Sequence, residues 1–229
     1  MGRMEFSLIT SNGTQNLSLD YRFVFAVGYT GRDTEKILSH IRELETDLGV
    51  PAPARIPTIF PLSPYLVTQS DILLDSCPRC SGEAEYVILL NNGHIYIGLG
   101  SDHTDRELEA SSILKAKQVC GKPISHDLWD YNELQNHWDE ISLRSWQIIS
   151  GVEIPYQQGT LADILPVERI IQEIHERTGI QGSCVIYAGT VPLLDGFRYG
   201  SRFRCEMEDL QLGRKLTLSY SISTAQVAL

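Results

Sequence analysis

Glu83-Ala84-Glu85-Tyr86-Val87-Ile88-Leu89-Leu90-Asn91-Asn92-Gly93-His94-Ile95-Tyr96-Ile97-Gly98-Leu99-Gly100-Ser101-Asp102 is the stretch that decides how this 229-residue chain is read. Residues 83–90 have the composition of a strand, Asn91-Asn92-Gly93 that of a tight turn, and residues 94–99 return as a second strand. Side chains alternate across a strand, so Glu83 and Glu85 share a face. A two-residue Asn92-Gly93 turn sets Asn91 against His94, and counting outward places Asp102 opposite Glu83. Opposed residues of an antiparallel pair project to one side, so all three acids share a face. Moving the turn to Asn91-Asn92 changes the partners but keeps the parity; a three-residue loop breaks it. Converging carboxylates repel unless they are protonated, paired with arginine or lysine, or neutralised by a hard cation such as Mg2+ or Mn2+. On pattern alone, a solvated acidic face of an exposed hairpin is the more ordinary reading.

Outward from the hairpin, Thr104-Asp105-Arg106-Glu107 has the form of a capping box and predicts a helix start. Leu134, Trp138 and Ile141 share a helical face, which predicts a second helix over residues 131–141, and a third is expected over 167–177. Strands are expected at 183–188, 202–207 and 216–222. Upstream, strand-like runs at 5–10 and 21–27 flank the turn signal Ser11-Asn12-Gly13. Ile37, Leu38, Ile41, Leu44 and Leu48 predict a helix from about Asp33 to Leu48, stopped by Gly49 and Pro51. Five prolines between 51 and 64 make that stretch an extended rim. The pattern is one strand-rich α+β domain over residues 1–229, with 1–27 as an N-terminal strand segment and no internal repeat.

The chain is 42% hydrophobic and 21% charged, ordinary for a folded protein. A formal charge of −10 opposes phosphate backbones and anionic lipid, so neither nucleic acid nor a membrane surface is an expected partner. No run approaches the ~20 apolar residues that span a bilayer, and the start lacks a signal-peptide core. Five cysteines do not form a secreted disulfide framework, and a cytoplasmic location is expected. Cys77-Pro78-Arg79-Cys80 invites a zinc reading with nearby histidines, but without a second Cys-x-x-Cys a reduced pair in a loop is the ordinary one. The tryptophans at 129–146 suit core packing or a subunit interface better than a binding platform.

At the acidic residues the sequence resembles the fumarylacetoacetate hydrolase superfamily. That family carries a Glu-x-Glu metal motif on a strand, matched by Glu83-Ala84-Glu85, and a third metal ligand in an Asp-x-Ser/Thr-x-Arg-Asp stretch, matched by Asp102-His103-Thr104-Asp105-Arg106-Glu107. Its functional lysine lies in an Ala-Lys-Ser-Phe-like segment, matched by Ala116-Lys117-Gln118. A His-x-x-Glu pair that acts on water is matched by His40-Ile41-Arg42-Glu43, and a Gly-Thr-Pro-like turn by Gly189-Thr190-Val191-Pro192. The five features follow the family's order from Gly28 to about Tyr220. There are departures: Thr30–Ser39 is extra, the family's Phe-x-Lys becomes Phe60-Pro61-Leu62, and Ser-Phe after the lysine becomes Gln118-Val119. The chain therefore resembles a divergent branch.

The resemblance implies a mixed β-roll of the family's C-terminal-domain type, usually a homodimer. It also implies a cation, Mg2+ or Mn2+, held by Glu83, Glu85 and Asp102. Such a cation acts as a Lewis acid that stabilises an enolate, a step shared by C–C bond hydrolysis, decarboxylation, hydration and isomerisation. Hydrolysis of a small anionic oxo acid or β-dicarbonyl compound is the first expectation. His40 and Glu43 are the candidate water-activating pair, although by angle His40 is also a core-edge histidine beside a solvated glutamate. Lys117 is the candidate for an oxyanion or substrate carboxylate, with Lys115 its competitor. Thr190, Arg32 and Arg106 are candidate substrate contacts, a turn residue and surface ion pairs otherwise. His103, beside Asp102, has no role in the resemblance. A non-catalytic binding or assembly domain keeping the fold is the rival class.

Overall fold

Asn92 and Gly93 both adopt left-handed backbone angles, φ 50° and 83°. A turn of this kind matches the twist of its flanking strands, and glycine enters it without a Cβ clash. The hairpin closes with Asn91 opposite His94, Glu85 opposite Gly100 and Ala84 opposite Ser101. One further step follows, because Asp102 N donates to Glu83 O at 3.0 Å. The pairing counted from the sequence therefore runs as far as the acids.

The structure is a computed structural model describing residues 2–48, 52–75 and 78–224. Its strands are β1 (Gly2–Thr10), β2 (Gly13–Tyr21), β3 (Phe23–Gly28), β4 (Thr58–Leu62), β5 (Val67–Thr68), β6 (Ile72–Asp75), β7 (Cys80–Ser81) and β8 (Ala84–Asn91). They continue as β9 (His94–Ser101), β10 (Thr104–Asp105), β11 (Lys122–Asp130), β12 (Ser142–Ile149), β13 (Val152–Thr160), β14 (Cys184–Thr190), β15 (Arg202–Asp209) and β16 (Arg214–Thr224). The helices are α1 (Thr34–Leu48), α2 (Arg106–Glu109), α3 (Ile113–Gln118) and α4 (Val167–Thr178).

A nine-stranded sheet runs in the order β2-β1-β11-β9-β8-β14-β3-β4, with β5 added beside β11. It is mixed: β1 is parallel to β11 and β14 to β3, whereas β8, β9 and β11 pair antiparallel. The second sheet, β13-β12-β15-β16-β6, packs on one face of the first. Central strands are apolar on both faces, as expected when both are covered. Tyr86, Ile88, Ile97, Leu99 and Ile186 point toward the second sheet and α4. Val87, Leu89, Val185 and Tyr187 point the other way, into a core with Phe60, Leu62, Ile124 and Leu128. By alternation Glu83, Glu85 and Asp102 lie on this second face, at the end of the hairpin.

Four sequence expectations change. Residues 13–21 form β2, an edge strand whose buried row is Leu19 and Tyr21 with half-buried Leu17. The expected helix over 131–141 is two single 3-10 turns, Tyr131–Glu133 and Trp138–Glu140. Leu134, Trp138 and Ile141 still share one buried face, with Trp138 edge-on to Tyr86 at 5.1 Å and to Tyr131 at 5.4 Å. Thr104 belongs to β10, and it is the Asp105 carboxylate that caps α2, accepting from Glu107 N and Leu108 N. Strands β11, β12 and β13 were unmarked in the pattern: β11 draws its partners β1, β5 and β9 from elsewhere in the chain, whereas β12 and β13 form a local hairpin that the sequence reading passed over. Of the three tryptophans, Trp129 and Trp138 are core, whereas Trp146 is half-buried beneath the Arg204 guanidinium.

Candidate metal centre

Glu83, Glu85 and Asp102 converge so that one carboxylate oxygen from each lies within 4.8 Å of the others. The solvated-face reading fails on burial: Glu85 is 3% and Asp102 1% exposed. Each acid is held by a different device. Gly189 N donates to Glu85 Oε2 at 3.1 Å. Arg106 pairs with Glu83 Oε2 at 3.2 Å and is itself fixed by Ser81 Oγ and Glu109, both at 2.8 Å. Asp102 receives two lysines: Lys117 Nζ donates to Oδ2, and Lys122 Nζ sits 3.2 Å from Oδ1 while also donating to the His103 carbonyl.

The charges separate the three acids. Burial, then Asp102, raise the Glu85 pKa well above the ordinary 4.5. Burial also opposes ionisation of Asp102, but Lys117 and Lys122 override it and hold the carboxyl well below its usual range. Burial disfavours the Lys117 ammonium, yet Asp102 and the surrounding glutamates keep it firmly charged. Lys122 moves down instead: its burial is complete, and it shares Asp102 with the competing charge of Lys117. Arg106 is raised by Glu83 and Glu109 against its own burial cost.

The donor set fits a hard dication. Three carboxylates meet, and burial leaves Glu85 without a full countercharge while Lys117 and Lys122 are both committed to Asp102. Oxygen donors in this number suit Mg2+ or Mn2+ with positions left over.

The other nominated residues are placed unevenly. Lys117 is buried at the cluster, 5.7 Å from the Phe60 ring centroid, whereas Lys115 is exposed. His40 and Glu43 fall in α1, and their side chains lie outside the described residues. Thr190 stands opposite Glu85, but its hydroxyl donates to Ala84 O at 2.5 Å and accepts from Gln157 Nε2 at 2.6 Å, so it holds a strand end and has no proton left for a substrate. Arg106 orients Glu83 in place of the expected substrate contact. Arg32 is not brought to the acids. Its guanidinium pairs with both oxygens of Asp139, at 2.5 and 2.8 Å, and with the carbonyls of Ile164 and Leu161. It lines a separate cavity of about 400 Å3 with Tyr131, His137, Trp138 and Glu168.

Sequence reasoning missed Lys122. Among five lysines it opens an apolar strand after Gly121, and only that placement hinted at burial. It also missed Asp75, whose carboxylate meets His103 Nε2 at 2.8 Å. Cys77 lies outside the described residues, while Cys80 is buried in this neighbourhood.

Two mixed sheets with a buried, lysine-flanked carboxylate cluster at the end of a central hairpin define the class: a mixed-β scaffold carrying a candidate dication centre. Residues 27–220 match the model of a family described as "Protein of unknown function (DUF2848)", and the chain belongs to that family. A search of curated proteins finds no match. Among solved structures, the chain is similar to "2-keto-3-deoxy-D-arabinonate dehydratase apo form", with TM-score 0.65 and 18% identity, covering 96% of this chain and 79% of that one. It is similar to the same dehydratase "complexed with magnesium and 2,5-dioxopentanoate" at TM-score 0.61 and 17% identity, covering 96% and 79%. It is also similar to "4-oxalocrotonate decarboxylase from Pseudomonas putida G7 - complexed with calcium and acetate" at TM-score 0.56 and 12% identity, covering 88% and 76%. At these identities the likeness is one of fold. Among the described residues no helix is long and apolar enough to cross a membrane.

Proposed function

We propose that this chain is a divalent-metal-dependent enzyme acting on a small anionic oxo acid or β-dicarbonyl compound. Glu83, Glu85 and Asp102 are its metal ligands and Lys117 is its functional ammonium. The observation that carries the reading is the convergence of three carboxylates within 4.8 Å, Glu85 and Asp102 buried and Glu83 partly so. A dication bound there supplies Lewis-acid polarisation of chelating substrate oxygens. Around it the chain's own groups have defined tasks. Arg106 fixes Glu83, the Gly189 N–H fixes Glu85, and Lys122 holds Asp102. Lys117 stays charged and is placed to meet a substrate carboxylate or a developing oxyanion. His40 and Glu43 are assigned to activating water, which favours C–C bond hydrolysis.

A second reading, dehydration or decarboxylation at the same site, is supported by the fold neighbours, which are a dehydratase and a decarboxylase. The mixed β-roll, the homodimer and the cytoplasmic location complete the proposal on the strength of the resemblance.

The test is thermal stability against Mg2+ and Mn2+ concentration after chelator treatment, on the wild type and on Glu83→Ala. A saturable rise in the wild type that disappears in the variant places the cation at the hairpin. Product analysis with oxo acids then separates hydrolysis from loss of water or CO2. A flat wild-type response overturns the metalloenzyme reading and leaves the binding-domain rival.

A further inference from the structure

A second group of metal-ligating side chains lies on the other side of Asp102. Asp75, Cys80 and His103 are all buried, and one ligand atom from each lies within 4.8 Å of the others. The Cys120 sulfur stands 3.8 Å from that of Cys80, next to this group but outside its mutual 4.8 Å spacing. These donors come from four separate places: the end of β6, the start of β7, the bend between β9 and β10, and the residue pair following α3.

The donor chemistry differs from that of the carboxylate centre. Two sulfurs, one imidazole and one carboxylate form a soft-to-borderline set, which selects zinc over magnesium. Thiolates at ~2.3 Å from a tetrahedral ion stand ~3.8 Å apart, the separation found between Cys80 and Cys120. His103 has the arrangement expected of a zinc ligand. Its Nε2 faces Asp75 at 2.8 Å, and its Nδ1 lies 2.9 Å from Tyr220 Oη. With the ring proton on Nδ1, that nitrogen donates to Tyr220, whose hydroxyl turns to Ser101 Oγ at 2.9 Å, and Nε2 is left to coordinate. Metal-bound histidines are commonly oriented through their other nitrogen in this way.

We propose that Asp75, Cys80 and His103 form a structural zinc site, separate from the carboxylate centre, and that Cys120 completes it as fourth ligand by turning its sulfur toward the ion. Binding releases the two thiol protons; the histidine proton moves from Nε2 to Nδ1 and stays on the ring. Two thiolates and a carboxylate around Zn2+ leave one net negative charge. Lys122, fully buried and bonded to the His103 carbonyl, lies between the two sites and is shared with Asp102. Four protein ligands leave no open position, so the site fastens structure and does not turn over substrate.

What it fastens is the acid-bearing segment. Strands β7 and β10 pair over only two residues each, Thr104 with Ser81 and Asp105 with Cys80. Glu83 follows β7, and Asp102 precedes His103. An ion at this point ties both to β6 of the second sheet, so zinc sets the spacing of Glu83 and Asp102 without touching substrate.

The experiment measures zinc per chain by elemental analysis, under reducing conditions, in protein purified without added metal. Wild type, Glu83→Gln, Cys80→Ser and Cys120→Ser are compared. The expected result is about one zinc in the wild type and in Glu83→Gln, and a large loss in both cysteine variants. Co2+ reconstitution of the wild type needs no variant to fold: thiolate-to-cobalt charge-transfer absorption with intense tetrahedral visible bands is expected. A wild type that neither retains zinc after exposure to it nor shows thiolate–cobalt absorption overturns the proposal. Zinc kept by the cysteine variants, or lost in Glu83→Gln, overturns it too, the latter by placing the ion among the carboxylates. The proposed function can fail in its Mg2+ and Mn2+ titration while this site stands, so the two failures are distinguishable.

Discussion

Glu85 carries a carboxylate that is 3% exposed, accepts one backbone hydrogen bond, and faces two further carboxylates. Burial, then Asp102, lift its pKa well above 4.5 in the folded chain. A group whose folded pKa is raised contributes stability that is complete below its unfolded value and lost as pH rises through the folded one. Metal-free protein is therefore expected to lose stability as pH climbs above about 4.5, the unfolded value. Glu85→Gln should remove that part of the slope. A dication competes with the proton, so stabilisation by Mg2+ should grow with pH in the wild type. Urea midpoints of chelator-treated wild type and Glu85→Gln across the acid-to-neutral range check both statements, and parallel slopes would assign the titration to another group. Asp102 runs the opposite way. Lysines hold its folded pKa below the unfolded 3.8, so its contribution is present above that value and lost as pH falls through the folded one. The acids were legible in the sequence because a two-residue turn and a period of two are local facts. Lys122 was not, because it reaches Asp102 through the pairing of β11 with β9, which no local pattern records.

Strand β14 delivers Gly189 to the site, and the strand is irregular where it does so. Its register with β8 shifts between Tyr187 and Thr190, and Gly189 adopts φ 111°. A Cβ at that position would meet Thr30 Oγ1 at 1.7 Å, an overlap compounded by a backbone angle that L side chains avoid. Gly189→Ala is expected to destabilise the chain by about 1–3 kcal/mol or more and to misdirect the N–H that fixes Glu85. Denaturant midpoints and Mg2+ affinity should both fall; an unchanged affinity would show that the N–H does not orient the carboxylate. Helix α2 offers a milder case. The Asp105 carboxylate accepts from Glu107 N at 3.0 Å and from Leu108 N at 2.9 Å, and Asp105→Ala should cost about 1 kcal/mol in chemical unfolding. The capping-box reading found this helix start but displaced its cap by one residue, because Thr104 is committed to β10. At 131–141 the spacing of Leu134, Trp138 and Ile141 identified a buried face correctly and a helix wrongly. Two 3-10 turns satisfy the same spacing while packing Trp138 against two tyrosines.

The large sheet separates two apolar cores, and its central strands belong to both. In β8, Tyr86 and Ile88 enter the core beneath the second sheet, while Val87 and Leu89 enter the opposite one. The near-continuous apolar run at 86–90 is the composition that a strand covered on both sides requires. What covers each side was not legible. The second sheet is closed by β6 running parallel to β16, and β1 joins β11 in parallel, so both contacts link segments far apart in the chain. Shared strands have a thermodynamic consequence, because neither core can melt without withdrawing the backbone that forms the other's wall. Ile88→Ala and Leu89→Ala each remove a side chain that is at most 2% exposed, one from each face, and each is expected to cost about 2–5 kcal/mol. If the chain is the single domain expected over 1–229, both variants shift one common unfolding transition, and calorimetric and van't Hoff enthalpies agree. Two resolved transitions, with Ile88→Ala moving one and Leu89→Ala the other, would show that the faces melt separately and that the sheet does not couple them.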